Sequence, residues 1–267
     1  MVDKLWTFVL GAQDPEMREI ERVLARTNAP FMHAARNSMR CTPRTAYEAD
    51  SVVRVGRRGF ARPMVLPPQS PAVFVECTVL GHEPVLRVDH HHPGDPGYDK
   101  SPERYLEGSS LGQVLRLLER EPTGTQRLLA AGDHCLTAAY QGACPGVDPN
   151  ELLFLRASWR ARMSGRTLGD VLEGILHAAK QVDAHHDSEF GESVFLDPTE
   201  AAPDLAEGAA YAGKPLRYRA LSLEGDLKEM LKGAGPAHIE RFMAGHRDAG
   251  RVVYGNPHRG YAGAYLT

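Results

Sequence analysis

The run Val88-Asp89-His90-His91-His92, set between an apolar stretch at 85–88 and a Pro/Gly/Asp-rich turn at 93–99, constrains this chain more than any other feature. A short apolar stretch that stops at a carboxylate and imidazoles reads as a buried strand with a polar end. The pattern recurs. Ala72-Val-Phe-Val-Glu76 ends in a carboxylate, Leu128-Leu-Ala-Ala-Gly-Asp133 ends in another, and the run at 5–10 leads through Gly11 to Asp14-Pro15-Glu16. In an open parallel sheet, such strand ends converge on one crevice. Carboxylates gathered there repel one another unless cations neutralise them. Carboxylate oxygen and neutral imidazole nitrogen together suit a hard or borderline cation such as Mn²⁺. The pattern predicts an α/β fold with metal chemistry at its strand ends.

Helical periodicity fills the intervals. After Pro15, Ile20, Val23 and Leu24 recur at helical spacing and predict a first crossover helix behind the 5–10 strand. Further helical patterns cover 110–120, 124–131, 150–162 and 167–183. The region 50–70 reads as a strand (Val52-Val-Arg-Val55) and an exposed loop carrying Arg57, Arg58 and Pro67-Pro68. His185 and His186, at a helix end before an acidic loop, suit a solvated role against the helix dipole. Low apolar periodicity over 187–209 marks an interdomain segment, giving domains at 1–190 and 205–267 with 191–204 as linker. Beyond it, 216–223 reads as a strand, 226–232 as a short helical or turn segment, 236–244 as a helix and 251–254 as a strand before a Gly-rich end.

Composition bounds the function. Hydrophobic residues at 42% and charged residues at 24% belong to a soluble globular protein, and no apolar run is long enough to span a bilayer. The N-terminus has no basic region, long apolar core and cleavage site in sequence, so a cytoplasmic location with no membrane partner is expected. Cys41, Cys77, Cys135 and Cys144 form no Cys-x-x-Cys pair and are expected to be reduced and buried. A net charge of −3 excludes an electrostatic trap for long nucleic acid over the whole surface. Any polyanion site must be local. Gly255-Asn256-Pro257-His258-Arg259-Gly260 has what such a site needs, in glycine-exposed backbone N–H groups and a guanidinium fork.

With these residues in order, the chain resembles the DHH phosphoesterase superfamily of single-strand exonucleases, short-oligonucleotide nucleases, cyclic dinucleotide phosphodiesterases and inorganic pyrophosphatases. That family runs from an early His-x-x-x-Asp-x-Asp through a strand ending in Asp, the Asp-His-His signature and a fourth Asp, to a C-terminal domain with a Gly-Gly-Gly-His-type loop. The counterparts here are Asp14 and Glu16, Glu76, Asp89-His90-His91, Asp133, and the segment 254–263. The segment 107–118 resembles the family's small-residue turn into an amphipathic helix.

The resemblance implies an N-terminal mostly parallel sheet with flanking helices and a smaller C-terminal α/β domain. It implies that Asp14, Glu16, Glu76, His90 and Asp133 hold one or two Mn²⁺ or Mg²⁺ ions. His91 would contact the phosphate or leaving group and Asp89 would orient a neighbouring imidazole, while Asn256, His258, Arg259 and Gly260 bind the substrate across a cleft. The reaction implied is hydrolysis of a phosphodiester or phosphate ester of a nucleotide or short single-stranded oligonucleotide, by a monomer or homo-oligomer. The departures are specific. Leu10 stands at the family's first His, and Glu16 and Glu76 replace two Asp residues. His33, His82 and His134 are the candidate replacement ligands, with His134 preferred because it follows Asp133. Two other readings stand beside this one: a nucleotide-binding protein of the same fold with weak or no hydrolysis, and an unrelated hydrolase with a zinc site at His90, His91 or His92.

Overall fold

The computed structural model describes residues 6–56, 60–66, 71–187, 191–199, 202–222 and 225–266. Arg57, Arg58, Pro67 and Pro68 lie outside the described residues. The chain forms two compact units, the first comprising Met1–Lys100 and Arg104–Asp133 and the second Ser101–Glu103 and His134–Thr267.

The first unit contains β1 (Thr7–Leu10), α1 (Pro15–Arg26), β2 (Phe31–Arg36), β3 (Met39–Arg40), β4 (Ser51–Val55), β5 (Ala61–Met64), β6 (Ala72–Val75) and β7 (Leu86–Val88), followed by α2 (Tyr105–Gly108), α3 (Ser110–Leu117) and α4 (Gly124–His134). The sheet order is β5-β4-β2-β1-β6-β7, with β3 beside β2. Its centre is parallel: β1 pairs with β2 and β6, and β6 pairs with β7. β4 and β5 extend it antiparallel. From β1 the chain crosses through α1 to β2 on one side, whereas β6 and β7 lie on the other. The order therefore reverses between β1 and β6, the place where an open α/β sheet brings the C-terminal ends of its strands to a common crevice.

Alternation along β1 decides which face each residue serves. Phe8 and Leu10 join Val73, Val75 and Val88 under Met17, Ile20 and Leu24 of α1 and Leu111 and Val114 of α3. Val9 and Phe74 face the opposite way, among Ala34, Val52, Leu66 and Val79. Each fully buried aliphatic side chain contributes about 1.5–3 kcal/mol over its exposed state. Both faces of the central strands are thus anchored, which holds the strand ends in place.

The second unit contains α5 (Leu136–Tyr140), α6 (Pro149–Ser164), α7 (Leu168–Ala184), β8 (His186–Asp187), β9 (Glu192–Phe195), α8 (Leu205–Ala212), β10 (Leu216–Leu221), β11 (Leu227–Lys232), α9 (Pro236–Asp248), β12 (Val253–Asn256) and β13 (Tyr261–Tyr265). Its sheet runs β12-β13-β11-β10-β9-β8. Ala178 and Val182 of α7 and Leu205 and Ala209 of α8 cover Phe195, Leu216 and Tyr218. A second cluster joins Ile239, Phe242 and Met243 of α9 to Leu231 and Ala262. Between α5, α6 and α8, buried Glu207 accepts from Tyr140 Oη at 2.6 Å and from Arg156 Nε and Nη2 at 2.5 and 2.7 Å. Burial alone would raise the Glu207 pKa, but the Arg156 charge and hydrogen bonds outweigh it and hold the carboxyl below its ordinary value.

The α/β class expected from the sequence is the class observed, in two units each with its own sheet. The division falls between Asp133 and His134, not near 190–205. The described residues of the expected linker, 191–199 and 202–204, belong to the second unit, where β9 pairs in parallel with β10. The segment 226–232, read as helical or turn, is β11, paired antiparallel with β10 and β13. Asp133 lies in the last turn of α4, not at a strand end. No described helix is long and apolar enough to cross a membrane.

Candidate metal centre

Each contributor to the strand-end crevice of the first unit is placed by a local feature. Asp14 is the N-cap of α1, its Oδ1 accepting from Met17 N at 2.6 Å, with Pro15 at the first helical position and Glu16 in the first turn. Glu76 follows β6 directly and has φ of 50°, a sparsely populated conformation for a side chain other than Gly. That turn brings its carbonyl against Gly11, where any Cβ would collide with it. Asp89 and His90 follow β7.

Glu16, Glu76, His90 and Asp133 each direct one ligand atom to a common point, all within 4.8 Å of one another. His90 Nε2 lies 3.1 Å from Asp133 Oδ2 and 3.5 Å from Glu76 Oε1, and the His90 side chain is fully buried. Glu76, His90 and His91 also bring one ligand atom each within 4.8 Å of the others, so that this set shares two residues with the first. Glu16 Oε1 accepts from Leu111 N at 3.0 Å, at the N-terminal end of α3. Its Oε2 is buried with no hydrogen-bond partner.

The electrostatics are those of crowded anions. Burial first, then the charges of Glu76 and Asp133, push the Asp14 carboxyl up to about 8, against the hydrogen bond from Met17 N. Burial and then Asp133, Glu76 and Asp14 raise Glu16 well above its ordinary value. A buried carboxylate oxygen without a donor, facing two more carboxylates and an imidazole, fits a divalent cation, because the cation supplies the missing partner and reverses the local repulsion. The donor set of oxygens and one or two imidazole nitrogens suits Mn²⁺, with Mg²⁺ an option where oxygens dominate.

Asp89 does different work. Its carboxylate accepts from the backbone N–H of His90 at 2.7 Å and of His91 at 3.1 Å, from His91 Nδ1 at 2.9 Å and from Tyr47 Oη at 3.0 Å. Burial opposes ionisation, but the His91 hydrogen bond and the two backbone donors outweigh it and hold Asp89 at about 2. An ionised Asp89 can only accept, so Nδ1 of His91 carries the proton, and in the neutral ring the lone pair sits on Nε2. Gln113 Nε2 fixes the Asp89 carbonyl at 3.1 Å. Tyr47 has no sequence signal, and Gln113 falls in the 107–118 segment, whose pattern marks a helix but gives this side chain no role, since each reaches the site only through tertiary packing.

Of the residues singled out in the sequence, Glu16, Glu76, His90, His91 and Asp133 come together. Asp14 lies within their electrostatic reach while capping α1. Leu10 is buried in the apolar cluster beneath the strand ends. His33 Nε2 lies at ion-pair distance, 3.2 Å, from Glu21 Oε1. His82 sits in a turn beyond Val79. His134 is buried in the second unit, and neither it nor His33 nor His82 belongs to any of the described ligand groupings. In that unit the 255–260 segment is a tight turn: Asn256, itself buried, accepts from His258 N and Arg259 N at 2.9 and 3.2 Å, Gly260 closes it at φ of 68°, and Arg259 Nε donates to the His134 carbonyl at 3.0 Å. His185 caps α7, with Nδ1 2.8 Å from Gln181 O. Cys77 is buried and its thiol donates to Val9 O at 3.3 Å. No protein-family model matches the chain, and no curated protein matches it.

Proposed function

We propose that this protein is a metal-dependent phosphoesterase of the DHH kind, hydrolysing a phosphodiester or phosphate ester of a nucleotide or short single-stranded oligonucleotide. The observation that carries the reading is the meeting of Glu16, Glu76, His90 and Asp133 from four distant segments at the reversal point of a parallel sheet, with Glu16 Oε2 buried and without a donor. One or two Mn²⁺ or Mg²⁺ ions held there would supply hydroxide from water near neutral pH and neutralise charge on the phosphoryl oxygens. The chain's own residues do the rest. Asp89 fixes the tautomer and ring plane of His91, so that protonation at Nε2 makes an imidazolium able to give a proton to the leaving oxygen. Tyr47 and the backbone N–H groups of His90 and His91 keep Asp89 ionised throughout.

A second reading, a nucleotide-binding protein with weak or no hydrolysis, draws on Leu10, which offers no ligand where the resemblance calls for a His. The position of Asp133 beside His90 weighs against a zinc site made of histidines alone. We assign the protein to the cytoplasm, in keeping with four cysteines, none of them in a disulfide. The test is hydrolysis of a panel of short single-stranded oligonucleotides, cyclic dinucleotides, nucleotides and pyrophosphate with Mn²⁺. Turnover of one class that is lost in His90→Ala supports the enzyme. No turnover of any class, with nucleotide binding retained, supports the binder.

A further inference from the structure

The second unit holds a cavity of about 510 Å³ that the metal centre does not use. Its wall on α9 carries His238, Arg241, Phe242 and His246, which recur at helical spacing on one face, and Glu192 of β9, Arg217 of β10 and Arg251 also line it. Glu229, 1% exposed, accepts from Arg217 Nη2 at 2.6 Å and from Arg219 Nε at 2.8 Å. Glu192, also buried, pairs with His238 Nε2 at 3.0 Å and lies 3.6 Å from Arg217 Nη1. Glu229 is shared by Arg217, Arg219 and, at 3.6 Å, His246 Nε2, while Glu192 lies between His238 and Arg217.

Arg241 and Arg251 line the same cavity as Glu192 but make no ion pair among the described residues. Arg251 Nη1 is 3.0 Å from His246 Nδ1, and a guanidinium cannot accept a hydrogen bond, so Nδ1 of His246 is the acceptor and this ring is neutral. Burial holds the His246 pKa below its ordinary value, and Arg251 and Arg217 act in the same direction against Glu229. Three arginines, Arg217, Arg241 and Arg251, therefore line this cavity against one glutamate, Glu192, in a chain whose net charge is −3. Two guanidiniums outside any ion pair, a buried Phe242 ring beside them, and a volume within the usual range for small-molecule sites select for a compact dianion. Tetrahedral phosphate oxygens accept paired N–H bonds from such forks.

We propose that this cavity binds a phosphate dianion, carried by a small organic molecule or free as inorganic phosphate, through Arg241 and Arg251 on a platform held by Arg217. None of its lining residues belongs to the metal centre, so it is tested with EDTA present. Calorimetric titration of the full chain with inorganic phosphate and with adenosine monophosphate is expected to give a dissociation constant below about 1 mM for at least one of them. A double variant, Arg241→Gln with Arg251→Gln, should weaken it by about tenfold or more while leaving the far-ultraviolet circular dichroism spectrum unchanged. Tighter binding of the nucleotide than of inorganic phosphate assigns the organic source, and equal binding assigns the free ion. No heat of binding at about 10 mM of either ligand, or binding undiminished in the double variant, overturns the proposal. Should the double variant unfold, Arg241→Gln alone, at an exposed position, serves in its place, and unchanged affinity there is equally contrary.

Discussion

Replacing Glu16 by Gln should stabilise the metal-free protein and abolish its response to Mn²⁺. The ligand atoms of Glu16, Glu76 and Asp133 lie no more than 4.8 Å apart, so each charged pair repels by about 3.5 kcal/mol at an effective dielectric of about 20. Proton uptake by the raised carboxyls relieves part of this, leaving an expected gain of about 2–4 kcal/mol near pH 8. The amide keeps an oxygen for Leu111 N, whose bond to Glu16 Oε1 is 3.0 Å, and places a donor where the unpartnered Oε2 now faces acids. The gain should shrink toward pH 5, where the native site already holds protons. Urea unfolding with EDTA measures the stability, and the same titration with Mn²⁺ measures the loss of cation-induced stabilisation. With two compact units, the transition to follow is the one that Mn²⁺ shifts in the parent protein. A Gln variant less stable than the parent in EDTA would mean that the Glu16 carboxylate is paired, and would refute the reasoning.

Four further outcomes are expected. Asp14 titrates at about 8 when folded against an ordinary 3.8, so the folded state holds the extra proton between those values and its stability falls as pH rises through them. Melting curves in EDTA should therefore show a steeper decline from pH 5 to 8 for the parent than for Asp14→Asn, and equal slopes would contradict the shift. Glu207→Ala leaves Arg156 and Tyr140 without their acceptor in a buried place and should cost about 3–5 kcal/mol in urea unfolding; a loss under about 1 kcal/mol would show the network to be dispensable. Tyr47→Phe removes one of the donors to Asp89 and should cost about 1 kcal/mol, lowering kcat more than it raises KM once a substrate is in hand. His90→Ala should eliminate the Mn²⁺-induced rise in melting temperature, and retention of that rise would place the cation elsewhere.

The parts of the fold that could be read from sequence were those with local cause. The apolar runs at 72–76 and 85–88 alternate with helical patterns, and Asp14-Pro15-Glu16 is a helix start by its own chemistry, so β6, β7 and α1 and the acids beside them stood out. β11 did not, because Leu227-Lys-Glu-Met-Leu-Lys232 favours helix locally and becomes a strand only by pairing on both sides, with Glu229 buried under Arg217 and Arg219. The unit boundary was misplaced for a similar reason: 191–204 lacks periodicity, yet β9 is held by its register with β10. Asp133 was expected at a strand end and reaches the crevice from the last turn of α4. Tyr47 carries no motif and the 107–118 pattern assigns Gln113 no role, so only tertiary structure brings them to Asp89.

The measurement closest to the central claim is anomalous X-ray diffraction at the manganese edge from crystals soaked in Mn²⁺. A peak bounded by Glu16, Glu76, His90 and Asp133, absent in crystals of His90→Ala, is the result this account requires. Density at saturating Mn²⁺ that shows no peak there, or a peak only on other residues, would contradict it.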